Sequence, residues 1–287
     1  MDLGPVGTLP MVYIISSCRE PRMSKRSKVH PNYKTKYRVT NWPEYDRALV
    51  RRGDLTIWFT PATLRAWTPL PTGQRGGQPR TSDPCIELGL TLKQLLRLPW
   101  RSVEGLLRSL MMLTGIDAPT PDHTTLSRRT RGLDVQLRQP PSCEPIHLVV
   151  DATALPGLLD EVPNRVKRLT ADGGYDRREV YQAARERGAR TVIPPRRDAV
   201  VCGEPVFSDR DAHIERIGEI GRRRWRLEAG QHHQSRAENT FYRYKKRFGG
   251  RLSARNEEAQ RNEVLTACNI LNRMTELGMP NSIALRG

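Results

Sequence analysis

The stretch IHLVVDATALPGLLDEVPNRVKRLTADGG, residues 146–174, decides the fold, because an acidic residue directly follows each of two apolar runs. The run IHLVV ends at Asp151, and the run within RVKRLTA ends at Asp172. Short apolar, β-branched runs are typical of buried strands. The helical pattern RREVYQAARERG and the run ARTVIPP come next, so this part of the chain predicts an α/β unit with parallel strands.

The two aspartates are candidate metal ligands. Ligands of open parallel sheets lie at the carboxyl ends of the strands, and neighbouring strands are roughly 4.8 Å apart, so Asp151 and Asp172 could share a divalent cation. Mg²⁺ prefers oxygen ligands, and Gly173 and Gly174 would let a phosphate backbone approach. Glu238, on a later helix, could complete a site for two-metal phosphoryl transfer.

Spacing alone leaves a second interpretation of these acids open. An aspartate at a strand end is often a turn former or a helix cap. Glu238 lies in SRAENTFYRYKKR, where a glutamate among basic residues is also a common surface salt-bridge partner.

The charge balance points to a polyanionic partner. The 287 residues include 48 basic and 31 acidic ones, for a net charge of +17. Nucleic acid is the first candidate partner and a membrane surface the second, although no apolar run is long enough to cross a bilayer. The five cysteines are scattered singly, which indicates neither a disulfide framework nor a zinc site and suits reduced thiols in a cytoplasm.

Changes in composition and periodicity divide the chain into six segments. Residues 1–22 are predicted to be an unstructured extension, with Met23 as the expected functional start. The remaining segments are a basic arm and helix over 23–67, a linker over 68–84, a helical region over 85–133, a second linker over 134–145 and the α/β domain over 146–280.

The helical region is a candidate DNA-binding element. Two amphipathic patterns, CIELGLTLKQLLRL and WRSVEGLLRSLMMLTG, precede a short helix that Asp122 could cap. That short helix ends with Arg128, Arg129 and Arg131, as expected for a helix-turn-helix arrangement. A plain helical bundle would give the same pattern. Farther along, Trp225 is a candidate base-stacking residue because Arg flanks the ring on both sides.

Several motifs resemble the insertion-sequence five family of bacterial DDE transposases. They are VVDATAL, ADGGYDRREVYQAARERGARTVIPPRRDA and SRAENTFYRYKKRFGGRLSARNEEAQRNEV, in the family's order, and VTNWPEYDRALVRRGDLTIWFT resembles the family's amino end. The likeness runs from about Met23 to Pro280.

This resemblance implies an RNase H-like catalytic core that cuts and joins DNA strands with Mg²⁺ or Mn²⁺. The catalytic and metal-binding triad falls on Asp151, Asp172 and Glu238, and the family's basic residue after the glutamate falls on Lys245. Arg243 and Lys246 beside it are further expected DNA contacts. Expected partners are terminal inverted repeats, target DNA and other copies of the chain. The expected location is the bacterial cytoplasm, at the nucleoid and without a membrane.

The chain departs from the family pattern in two ways. Gln231 and Gln234 stand where the family has a tyrosine and an arginine, with Arg236 as a possible substitute for the arginine. Only twenty residues, ATALPGLLDEVPNRVKRLTA, separate Asp151 from Asp172, fewer than the two antiparallel strands and crossover helix of an RNase H-like core need. The core is therefore expected to be shortened by an internal deletion, with a short parallel sheet.

Three functional hypotheses follow from these observations. The first is a transposase, with catalysis weakened or lost in this shortened chain. The second is a catalytically dead remnant that only binds specific DNA, and the third is a general nucleic-acid-binding protein. The first strand is also expected to be left as an uncovered sheet edge.

Overall fold

The computed structural model describes residues 12–15, 37–70, 73, 78–138, 146–150, 165–231 and 234–284. Within them lie ten α-helices and six strands. The helices are α1 (Trp42–Arg51), α2 (Pro61–Arg65), α3 (Asp83–Leu96), α4 (Trp100–Thr114), α5 (His123–Arg129), α6 (Arg178–Glu186), α7 (Ser208–Ile220), α8 (Arg222–Glu228), α9 (Gln234–Phe248) and α10 (Glu257–Glu276). The strands are β1 (Val12–Ile15), β2 (Tyr37–Val39), β3 (Ile146–Val150), β4 (Val166–Ala171), β5 (Arg190–Val192) and β6 (Ser282–Ala284).

The chain divides into two compact units. Residues 1–22 and 139–243 form one, which we call the sheet unit, and residues 23–138 and 244–287 form the other, the helical unit.

A parallel sheet is the centre of the sheet unit. Its strand order is β1-β3-β4-β5, with β3, β4 and β5 parallel and β1 antiparallel to β3. The predicted parallel α/β arrangement is therefore confirmed. Helix α6 crosses from β4 to β5 and buries Val180, Tyr181 and Ala184 against Leu148 and Leu169 of the sheet. Gly188, at φ 64°, lets the chain turn back into β5.

Strand β1 corrects two expectations. The prediction that residues 1–22 are unstructured is wrong for Val12–Ile15, which pair with β3 from Val12↔Val150 to Ile15↔His147. The first core strand is consequently not an uncovered edge, because β1 covers it. The physical reason lies in the sequence VYII, whose β-branched and aromatic residues favour a strand once a partner edge is present.

The helical unit is built on α3, α4 and α5. Helix α3 passes so close to α5 that a Cβ at Gly89 would lie 2.7 Å from Leu126 Cδ2. Helix α10 also has a buried face in this unit. Its Asn262 side chain donates hydrogen bonds to the carbonyls of Thr130 and Leu133 at 2.8 and 2.9 Å. The predicted α3 and α4 patterns and the Asp122 cap are confirmed, since Asp122 accepts from the Thr124 and Thr125 amides. The pair β2–β6 is the only other sheet in the described part of the chain.

Three boundaries differ from the sequence predictions. The pattern SDRDAHIERIGEIGRRRWR is two helices, because Gly221 breaks it at φ 80°. Ser208 is the first helical residue of α7 and does not cap it. The last helix begins at Glu257, because Asn256 caps it and Ser253 instead donates its amide to the Glu263 carboxylate.

No helix in the described residues is long and apolar enough to span a membrane.

Removal of β1 should destabilise the sheet unit and expose an aggregation-prone edge. Deleting residues 2–22 removes four backbone pairs from β3, a loss of about 1–2 kcal/mol if one or two net hydrogen bonds of about 1 kcal/mol go with it. Thermal unfolding and concentration-dependent light scattering report the two effects. Deleting residues 2–10, which retains β1, is the control. Equal unfolding temperatures and scattering for both deletions would contradict the role of β1.

Candidate active site

Asp172 is exposed to solvent at the carboxyl end of β4. The last three residues of the strand are buried and Asp172 is exposed. Its Oδ1 accepts a hydrogen bond from the amide of Gly174 at 2.9 Å, which opens the short 3₁₀ turn Gly173–Tyr175. The carboxylate is therefore held in one orientation by its own turn and remains open to solvent. Both proposed roles, turn former and exposed ligand, are compatible with this geometry.

Two glycines beside Asp172 allow close packing. A Cβ at Gly174 would lie 3.1 Å from Asp172 Oδ1, and a Cβ at Gly173 would lie 3.3 Å from the carbonyl oxygen of Pro194. Both distances are tight for a β-carbon. The two glycines thus keep the Asp172 carboxylate uncrowded and let the turn approach the segment after β5.

Asp176 anchors this turn and was missed by sequence reasoning. Its side chain is 2% exposed. Asp176 Oδ1 accepts from Arg210 Nε at 2.9 Å and from the Tyr181 hydroxyl at 3.0 Å, while Oδ2 accepts from the Arg196 amide at 3.0 Å. Burial, with Asp176 next to it, raises the pKa of the Tyr181 hydroxyl above its ordinary value. The second aspartate of DGGYD was the available signal in the sequence.

The other two triad candidates are placed differently. Asp151 lies outside the described residues, although its predecessor Val150 pairs in parallel register with Ala171, the predecessor of Asp172. Glu238 is exposed on α9. Gln234 at the start of that helix is buried, and Gln231 is half-buried. In the part of the chain that the structure describes, no three His, Cys, Asp or Glu side chains group closely enough to hold a metal ion.

The donor chemistry of the described acids nevertheless suits a hard cation. Asp172 and Glu238 offer exposed carboxylate oxygens, the ligand type that Mg²⁺ and Mn²⁺ prefer. The missing β-carbon of Gly174 leaves room beside Asp172.

The predicted DNA-binding arginines lie in the last turn of α5 and, for Arg131, in the 3₁₀ turn that follows it, and their contacts differ. Arg128 and Arg131 are exposed. Arg129 contacts the Thr81 carbonyl and hydroxyl and pairs with Asp83, and its side chain is only 24% exposed. Its guanidinium ties α5 to the start of α3, and its assignment to DNA stays a prediction.

The remaining basic candidates lie along α9. Lys245 and Lys246 are exposed and Arg243 is half-buried, while Arg236 belongs to the helix without a described side chain. Trp225, the candidate stacking residue, is 1% exposed and donates its Nε1 hydrogen to His213 Nδ1 at 3.2 Å. The stacking prediction is wrong, because the ring is part of the core. Burial also lowers the pKa of His213.

Three of the five cysteines lie within the described residues. Cys85, Cys202 and Cys268 are free. Burial raises the pKa of both Cys85 and Cys268 to about 12, so these two thiols are protonated at neutral pH and are packing residues rather than nucleophiles.

Two family models, each described as a transposase DDE domain, match this chain. One covers residues 50–158 and the other covers residues 147–273. The second match contains β4, β5 and all of β3 except its first residue, together with Asp151, Asp172 and Glu238. No solved structure matches the chain significantly. A helix-rich α/β fold with a short parallel sheet and these two matches together support a DDE transposase.

Replacing Arg129 should affect folding, whereas replacing Arg128 should not. Arg129→Ala removes the contacts to Thr81 and Asp83 and should lower the free energy of unfolding by about 1–2 kcal/mol, a discounted figure because Asp83 is 68% exposed. Arg128→Ala removes an exposed side chain and should leave thermal unfolding unchanged. Identical unfolding temperatures for the two variants would contradict this division.

Proposed function

We propose that this protein is a transposase of the insertion-sequence five family, which binds terminal inverted repeats and cuts and joins DNA strands. The parallel register of β3 and β4 is the observation that supports it best. Val150 pairs with Ala171, so the next residue along each strand is one of the two aspartates. The whole arrangement lies within the span matched by a transposase DDE domain.

Asp151, Asp172 and Glu238 are the proposed catalytic carboxylates and the proposed ligands of Mg²⁺ or Mn²⁺. A bound divalent cation would lower the pKa of an attacking water and stabilise negative charge on the phosphate. The turn from Gly173 to Tyr175 holds Asp172 in place, and Gly174 keeps its oxygens accessible. The overall reaction is attack of water on a phosphodiester, which frees a 3′ hydroxyl. That hydroxyl then attacks target DNA in a second phosphoryl transfer.

An internal deletion of the catalytic core remains part of the proposal. Twenty residues separate Asp151 from Asp172, too few for two more strands and a crossover helix. The pairing of β1 with β3 supports this idea, because a strand from a distant part of the sequence occupies the edge at which a neighbouring core strand would be expected.

The helical unit is the proposed reader of the inverted repeats. Helices α3, α4 and α5 pack around Leu107 and Leu126, which suits a helix-turn-helix arrangement with α5 as the recognition helix. Exposed Arg128 and Arg131 would contact DNA there. Along α9 the proposed contacts are Arg236, Arg243, Lys245 and Lys246. The protein would act as a homo-oligomer on double-stranded DNA at the bacterial nucleoid, in the cytoplasm.

Cleavage should depend on the acids and on a divalent cation. A duplex carrying the element's terminal repeat is incubated with the full chain and Mg²⁺ or Mn²⁺, and strand-specific nicks are mapped. Nicking should be slow, because misplacement by about 1 Å in a shortened core can cost on the order of a hundredfold. Asp172→Asn and Glu238→Gln should each abolish it.

The control for this assay is Glu215→Gln, which removes an exposed carboxylate from α7 in the same unit. It should nick as the unaltered chain does. If the chain binds the repeat but does not nick it, the protein is a DNA-binding protein without catalytic activity. If nicking survives both acid substitutions, Asp172 and Glu238 are not catalytic residues.

Arg128 should contribute to sequence discrimination. If α5 reads the repeat, Arg128→Ala should weaken binding to the repeat by about 1–3 kcal/mol, the free energy of one good base contact, and should change binding to random duplex far less. Competition between repeat and random duplexes at fixed salt measures the difference. Equal weakening on both duplexes would mean that Arg128 contacts phosphates only.

A further inference from the structure

The chain leaves β5 through a buried segment and then turns in the solvent. Pro194 and Pro195 are buried, whereas Arg196 and Arg197 are exposed. The Ala199 amide donates to the Arg196 carbonyl at 3.2 Å, so the backbone reverses at this point. Two guanidinium groups therefore stand on a turn beyond the carboxyl end of β5.

This turn adjoins the one that carries Asp172. The Arg196 amide donates to Asp176 Oδ2 at 3.0 Å. On the other side, a β-carbon at Gly173 would lie 3.3 Å from the Pro194 carbonyl oxygen. Both contacts join the segment after β5 to residues that flank Asp172 in sequence. The arginines and the proposed ligand thus belong to one continuous edge of the sheet.

Helix α8 brings further arginines to the same place. Arg222 Nη1 donates to the Pro195 carbonyl at 2.7 Å, and its Nη2 donates to the Arg196 carbonyl at 3.3 Å. Trp225, one turn later, anchors the helix through its buried ring and its hydrogen bond to His213. The Arg222 side chain therefore links the start of α8 directly to the turn after β5.

Four exposed arginines lie on the turn after β5 and in the first turn of α8. Arg223 and Arg224 directly follow Arg222 and are exposed. We call Arg196, Arg197, Arg223 and Arg224 the arginine surface. None of the four forms a side-chain ion pair within the described residues, in contrast to Arg178, Arg210 and Arg216 of the same unit, which pair with carboxylates. Asp198 is the one acid within the turn itself.

We propose that the arginine surface binds the phosphate backbone of DNA and holds the strand beside Asp172. Guanidinium groups match phosphate oxygens in geometry and charge, and clustered positive charge without carboxylate partners is typical of a polyanion site. The proposal rests on the proposed function, because it assumes that DNA reaches the Asp172 edge. Sequence reading is not part of this role, since phosphate contacts position a duplex without identifying its bases.

The test is the salt dependence of binding to a short random-sequence DNA duplex. Removing one arginine that binds a phosphate should lower the slope of log K against log salt by about 0.9. The double variant Arg197→Ala, Arg223→Ala should therefore bind with a slope smaller by about 1.8 and should nick the repeat duplex more slowly. Circular dichroism shows whether the variant and the unaltered chain share one fold.

A charge-matched control comes from the same unit. Arg185 and Arg190 are exposed arginines at the end of α6 and at the amino end of β5. Their double alanine variant removes the same charge and should keep the slope of the unaltered chain. An equal change of slope in both double variants would overturn the proposal, since general charge would then explain it. Tighter binding of an RNA duplex than of the DNA duplex would overturn it as well.

Removing a negative charge from the turn should have the opposite effect on DNA binding. Asp198→Asn removes the acid from the turn, so DNA should bind more tightly at low salt, and the gain should vanish at high salt. A chain that binds no DNA at all would contradict the proposed function itself. A chain that binds and nicks the repeat with an unchanged slope in Arg197→Ala, Arg223→Ala would contradict only the arginine surface.

Discussion

Parallel pairing of β3, β4 and β5 is the constraint on which the rest of the sheet unit depends. Parallel strands must all leave the sheet at the same edge, and α6 is the connection that lets β5 follow β4 in the same direction. The turn of Asp172 and the turn after β5 consequently lie side by side. The parallel topology alone therefore brings the Asp172 turn and the turn after β5 to one edge, where ligands of parallel sheets commonly bind.

Two aspartates of one five-residue turn have opposite environments. Asp172 is exposed and keeps its oxygens available, whereas Asp176 is buried and paired with Arg210. Removing Arg210 would leave a buried carboxylate unpaired and would be strongly destabilising, so Arg210 and Asp176 act together as an anchor. Rigid support beneath an exposed acid suits the proposed role of Asp172 as a metal ligand, since the position of a ligand relative to a substrate controls the rate.

Local sequence patterns predicted most helices and the core strands, whereas the elements that were missed depend on long-range contacts. Helical periodicity in α3 and α4 and the apolar runs of β3 and β4 are signals contained in a few residues. Strand β1 could not be predicted in this way, because VYII finds its partner more than a hundred residues away. The break at Gly221 was missed because helical periodicity continues across it. The burial of Trp225 was missed because the flanking arginines suggested an exposed helix, although the ring packs against His213. Of the site, Asp172 is placed at a strand end as predicted, while the triad as a whole remains a proposal.

The large excess of arginine and lysine has two physical consequences in this fold. Some arginines hold elements together: Arg129 ties α5 to α3, and Arg222 ties α8 to the turn after β5. Arg222 does so by binding backbone carbonyls, which are fixed acceptors without net charge, and in the described part of the chain it forms no ion pair with a carboxylate. Self-repulsion among such charges weakens the free protein and is relieved when a polyanion binds. An arginine that builds the fold in this way therefore also strengthens the positive field at the edge of the sheet, where we propose that DNA binds.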